Sequence, residues 1–163
     1  MFQETKTLSS AGRAAATVYQ RTNLTELQML YWIGQNLRPE TPQFNNVLAF
    51  TFPTTIDPEL FTQAFHHVVG ASDALRTVIC DEAGIPTQKP LDQPPAQLQH
   101  YDLSAEPNPE ESAARWMAER AQIPLNIATG LYDAALLRLA PDKSIWYLNQ
   151  HHLITDGWGY AVQ

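Results

Sequence analysis

The stretch NQHHLITDGWG, residues 149–159, sets two imidazoles side by side, an acid four residues past the second, and a glycine straight after the acid. Imidazole is the side chain whose ordinary pKa lies closest to neutrality, so it can take or give a proton under mild conditions. The preceding residues alternate, with Trp146, Leu148, Gln150 and His152 on one side and Ile145, Tyr147, Asn149 and His151 on the other. A strand kept to its end sends the two rings to opposite faces, so that one anchors local structure while the other projects into a site. Asp156-Gly157 follows where the chain must turn, and a glycine there permits an unusual backbone conformation or the close approach of a substrate. On spacing alone the stretch is equally a strand ending in two satisfied histidines and an Asp-Gly turn. Acid–base work or metal ligation needs a third group that spacing does not locate. A zinc site fits poorly, because the alternation points the rings apart.

The other candidates read as structural. His66-His67 lies within a strongly amphipathic helix, with no acid or glycine at the later spacing, and reads as a helix edge. Cys80 ends a strand with no histidine nearby to activate it, and reads as a small buried residue. Glu106, Glu110 and Glu111 cluster around a helix start, where carboxylates complement the dipole.

Several elements must position these residues. TNLTELQMLYWIGQN reads as a helix, with a capping box from Asn23 and Glu26 or from Thr25 and Gln28, and with Gly34 closing its end. RPETPQ reads as a loop, and NNVLAFTF as a strand with Leu48, Phe50 and Phe52 on one face. DPELFTQAFHHVVGA reads as a helix capped by Asp57, opened by Pro58, and striped with Leu60, Phe61, Ala64, Phe65, Val68 and Val69. ALRTVIC reads as a strand, followed by a proline-rich loop through Pro95. Asn108-Pro109-Glu110-Glu111 starts a helix carrying Ala113, Trp116, Met117 and Ala121. LYDAALLRLA and SIWYLNQHH are two strands joined by a turn at Pro141-Asp142-Lys143. Helices alternate with strands, but the last two strands are sequential and antiparallel, which predicts an α/β fold with a mixed sheet flanked by helices.

Composition narrows the function classes. At 163 residues and 44% hydrophobic, the chain can bury a sizeable core in one globular unit. A net charge of -7, with only 10 scattered Lys and Arg, argues against nucleic acid. No apolar run reaches membrane-spanning length, MFQETKTLSS lacks the form of a secretory signal, and the single cysteine suits a reducing cytoplasm. No partner membrane is expected.

Four segments then share a family likeness. HHLITDGW resembles the HHxxxDG motif of nonribosomal peptide synthetase condensation domains, within the chloramphenicol-acetyltransferase-like superfamily. LTELQMLYW resembles the family's first motif, with Gln28 and Trp32 in place. TPQFNNVLAFTF resembles the Pro-x-x-Asn stretch that leads into the first strand, and DALRTVI the Leu-Arg-Thr motif. The sequence departs from the pattern in Leu27 and Leu30, where a small residue and an arginine are usual. It also carries Ala71-Ser72-Asp73 for Arg-His-Glu, and Gly159 for serine.

The resemblance implies the N-terminal lobe of a chloramphenicol-acetyltransferase-like two-lobed fold over residues 23–163, after a lead-in segment 1–22, with the second lobe absent. It implies amide-bond formation between a donor acyl or peptidyl thioester and an acceptor aminoacyl thioester. Each thioester arrives on the phosphopantetheine of a peptidyl carrier protein, with an adenylation domain in cis and no metal or other directly bound cofactor. His152 would stand in the tunnel between lobes, as general base or as a group orienting the amine. Asp156 would pair with Arg76 and hold the motif loop, Gly157 would give the turn its freedom and offer a backbone N–H, and His151 would be structural. The alternatives are a non-catalytic docking module and a CoA-dependent acyltransferase of the same superfamily. A start at Met1 close to the matched segments would also fit a lipid-acylating starter domain or a subunit receiving its donor in trans.

Overall fold

The two strands that end the chain's alternating pattern build the centre of the fold. In the computed structural model, which describes residues 21–155, β5 (Tyr132–Ala140) and β6 (Lys143–His151) pair antiparallel across the Pro141-Asp142 turn. The other edge of β6 takes β1 (Asn45–Phe52), also antiparallel, with Asn45 opposite His151. The free edge of β5 takes β4 (Gln99–Asp102) in parallel, giving a mixed sheet of order β1-β6-β5-β4.

Strand periodicity assigns each face its helix. Tyr132, Ala134, Leu136 and Leu148 pack on Phe65 and Val69 of α2 (Pro58–Ala71), with Phe61 and Trp146 beside them. The alternate residues Ala135, Leu137, Leu139 and Tyr147 pack on Ala113 of α4 (Pro109–Ala121), with Trp116 and Met117 alongside. A sheet covered on both faces needs strands that are apolar almost throughout, as β5 is. Fully burying one leucine such as Leu137 contributes about 1.5–3 kcal/mol. Asp57 caps α2 by accepting the N–H groups of Glu59 and Leu60, at 2.9 and 3.1 Å, with Pro58 in the first turn. Only Phe61, Phe65 and Val69 of its stripe turn inward; Leu60 and Val68 face solvent.

A second, smaller unit sits against one end of this sandwich. α1 (Glu26–Leu37) is opened by the capping box of Thr25 and Gln28. β2 (Thr77–Glu82) and β3 (Ile85–Pro90) form a separate antiparallel hairpin whose turn residues Ala83 and Gly84 both have positive φ, 54° and 83°. Ile79 and Leu131 join Leu153 in a buried cluster lined by Tyr31 and Trp32, which ties the hairpin and α1 to the sheet.

Three sequence expectations are corrected. Gly34 lies inside α1 rather than at its end, because the ring of Phe44 presses on the helix there and leaves no room for a side chain. Residues Asp73–Arg76 form a single helical turn, α3, capped by Ser72, so the strand begins only at Thr77. The proline-rich stretch contains β3, since Pro86 and Pro90 sit in a two-stranded sheet whose outer edge asks for no N–H. No described helix is long and apolar enough to cross a membrane.

Candidate active site

β6 ends at His151, and the chain turns at once. The His151 N–H donates to Leu131 O at 2.9 Å, and its ring has no exposed surface. Nδ1 accepts the backbone N–H of Leu153 at 3.1 Å, while Nε2 lies 3.3 Å from Oε1 of Gln35. Burial, and then the neighbouring His152, push its pKa down to about 4, so the ring is neutral near pH 7.

His152 has a different setting. Its N–H donates to Phe44 O at 3.0 Å, and its ring stacks on Tyr31 with centroids 5.5 Å apart and planes 26° apart. The half-buried ring lines a cavity of about 290 Å³ whose walls include Gln28, Tyr31, Ala74, Thr77, Gln88 and Thr155. Among these described lining residues there is no carboxylate and no thiol, and His152 is the wall's one imidazole. The two rings face different surroundings, one the interior and the other the cavity, and a turn rather than continued strand alternation parts them.

α1 supplies most of what surrounds the turn. Gln28 accepts the Thr25 N–H at 2.9 Å in its capping box, and its Nε2 donates to Leu153 O at 2.9 Å and to Gln88 Oε1 at 3.1 Å. Phe44 touches Tyr31 edge-on at 5.2 Å and His151 at 5.8 Å. A Cβ on Gly34 would fall 2.7 Å from that ring, so the glycine is what lets Phe44 reach the histidines.

Arg76 closes α3. Nη2 pairs with Asp73 at 2.6 Å, Nη1 donates to Leu91 O, and Nε is buried with no acceptor among the described residues. Thr155 Oγ1 is likewise buried and without a partner among them. Asp156 and Gly157 lie outside the described residues.

The family model described as "Condensation domain" matches residues 18–162. The chain belongs to the condensation domain family. It is 33% identical over 144 residues to an isonitrile lipopeptide synthase of Streptomyces coeruleorubidus, covering 87% of this chain and 10% of that protein. To a dimodular nonribosomal peptide synthase of Bacillus subtilis it is 30% identical, covering 86% of this chain and 6% of that protein. The starter condensation domain of rhizomide synthetase RzmA superposes with a TM-score of 0.80 at 31% identity, over 86% of this chain and 34% of that one. The first condensation domain of the calcium-dependent antibiotic synthetase does so with 0.77 at 29%, over 88% and 35%. The chain thus spans a tenth or less of these curated relatives and about a third of the solved condensation-domain chains.

Within this condensation fold, Gln28 and Trp32 meet the histidine turn directly, the first by hydrogen bond and the second through the Leu153 cluster. Gln35, Tyr31, Phe44 and Gln88 escaped the sequence reading. One signal was available: Gln28, Tyr31 and Gln35 recur at i, i+3 and i+7, which puts them on one helical face. His66 and His67 sit on α2 and take no part in the cavity wall. Cys80 is a partly buried free thiol on β2. Glu110 pairs with Lys143 at 2.6 Å beside the start of α4. No cluster of three or more potential metal ligands occurs among the described residues.

Proposed function

We propose that residues 23–163 are the N-terminal lobe of a condensation domain that forms an amide bond between two carrier-borne substrates. The amine of the acceptor attacks the carbonyl carbon of the donor thioester, a C–N bond forms, and the tetrahedral oxyanion expels the donor's thiolate. The amine loses one proton and the thiolate gains one. The phosphopantetheine arms of donor and acceptor carrier proteins deliver both substrates, the second lobe supplies the far wall of the tunnel, and an adenylation domain in the same assembly loads the acceptor. An ammonium with a pKa near ~8 is a poor nucleophile until deprotonated, so proton handling and alignment are what the site must contribute.

The observation that carries this reading is the setting of His152, an imidazole on a cavity wall with its backbone pinned to Phe44 and its ring stacked on Tyr31. Such a ring can take the amine proton or orient the amine by hydrogen bond. Arg76 has its Nε buried without a described acceptor, and its neighbours Ala74 and Thr77 line the same cavity as Thr155. This supports Asp156 as the missing partner, with Gly157 giving the loop its turn. In the polypeptide that carries this lobe, His152→Ala should abolish amide product, followed by mass spectrometry with both carriers loaded, while the melting temperature stays put. Near-normal turnover would remove His152 from the chemistry.

A further inference from the structure

The imidazole behind the site is held through a one-way chain of hydrogen bonds. A backbone N–H can only donate, so the 3.1 Å contact from Leu153 N makes His151 Nδ1 a bare acceptor. The ring proton therefore sits on Nε2, facing Gln35 at 3.3 Å. The Gln35 carboxamide is oriented in turn, because its Nε2 faces the carbonyls of Arg38, Pro39 and Thr41 at 3.4, 3.4 and 3.3 Å. That leaves Oε1 as the end that can accept from the histidine. Gln35 is 6% exposed and His151 0%, so both groups lie out of bulk solvent.

We propose that Gln35 is a positioning residue, which fixes His151 as its Nε2–H tautomer and thereby holds the Leu153 N–H and the turn that presents His152. The proposal rests on the assignment of His152 to the chemistry and deepens it. Leu153 has its N–H taken by His151 and its carbonyl by Gln28, so the two glutamines of the α1 face act on the same residue, Gln28 directly and Gln35 through His151. Tyr31 lies between them on that face and stacks on His152. The chain of contacts runs from the exit of α1, through Gln35 and His151, to the residue directly after His152.

Nuclear magnetic resonance on the full chain with ¹⁵N-labelled histidine tests the link without reference to activity. At neutral pH His151 should show the Nε2–H pattern; an Nδ1–H pattern or an imidazolium overturns the proposal whatever any variant does. In Gln35→Leu, or Gln35→Met where the leucine folds poorly, hydrogen exchange at Leu153 should speed up by about tenfold. Unchanged protection there overturns the proposal as well. In the carrier-loaded assay, kcat should fall about tenfold with KM nearly unmoved, as expected for a misplaced group. His151→Asn keeps an acceptor for Leu153, but its shorter side chain withdraws the far donor that faces Gln35, so in that background Gln35→Leu should cost no further kcat. A loss of the same size in both backgrounds would make Gln35 a mere support of the 38–41 loop. An active His152→Ala would refute the functional reading instead, and the exchange and tautomer data would still decide what Gln35 does.

Discussion

His151 and His152 are adjacent, yet one is a structural ligand of the backbone and the other a wall of the cavity. The difference has a pH signature. His151 has its folded-state pKa pushed down from 6.5 to about 4, first by burial, so the unfolded chain binds its proton more readily. Stability is then fully present above pH 6.5 and drains away as pH falls toward 4, by an amount on the order of 3 kcal/mol. His151→Asn keeps an acceptor near the Nδ1 position but cannot titrate. Thermal melts between pH 6.5 and 4 should show the parent losing more stability than the variant. Parallel curves would mean that the ring is not held neutral. Alternation in the sequence parted the two rings but did not say which turns inward; the end of β6 at His151 and the turn after it decide that. The partner that satisfies the ring was not legible either, because Gln35 stands 116 residues away and looks like an ordinary helix residue.

α1 shows why an element can be legible while its orientation is not. Its capping box and length stand in the sequence, but its leucine-rich stripe points outward: Leu27, Leu30, Ile33 and Leu37 are 53, 64, 43 and 77% exposed. The inward face carries Gln28, Tyr31 and Gln35, because the turn at His151 to Leu153 offers polar groups that must be paired. Periodicity locates a face but does not say which face the neighbours require. Gly34 makes this testable. Alanine is the better helix former by about 1 kcal/mol, so on an unencumbered helix Gly34→Ala would raise the melting temperature. Here the new methyl meets Phe44 at 2.7 and 2.9 Å, and that ring is wedged against Tyr31 and His151. The expected outcome is a net loss of about 1–3 kcal/mol in thermal or denaturant unfolding. A stabilised variant would show that Phe44 yields freely and is no part of the histidine support.

At the scale of the molecule, a mixed sheet between α2 and α4 was legible because the two faces of β5 and β6 declare themselves residue by residue. β3 and β4 were not, since their short, polar and proline-bearing runs become strands only when a partner strand lies alongside. The small hairpin is joined to the large sheet by few links: the Ile79 N–H to Ile127 O bond at 2.8 Å, the Ile79–Leu131–Leu153 cluster, and contacts around α1. A tie between Arg76 and Asp156 would add a charged clamp across this seam, from the start of β2 to the motif after His152. The Arg76 side chain is 17% exposed, and its exposed partner Asp73 occupies only Nη2. Removing one member of a well-buried pair leaves the other uncompensated, a loss on the order of 3–5 kcal/mol, which is a large share of a domain's stability. Asp156→Asn is the cleaner single variant, because Arg76→Ala also gives up Asp73 and Leu91. Both should behave as folding variants in thermal melts, and together they should cost less than the sum of the two. Strict additivity would show that Arg76 does not reach Asp156, and that the seam is held without that clamp, by the Ile79 backbone bond, the apolar cluster and α1.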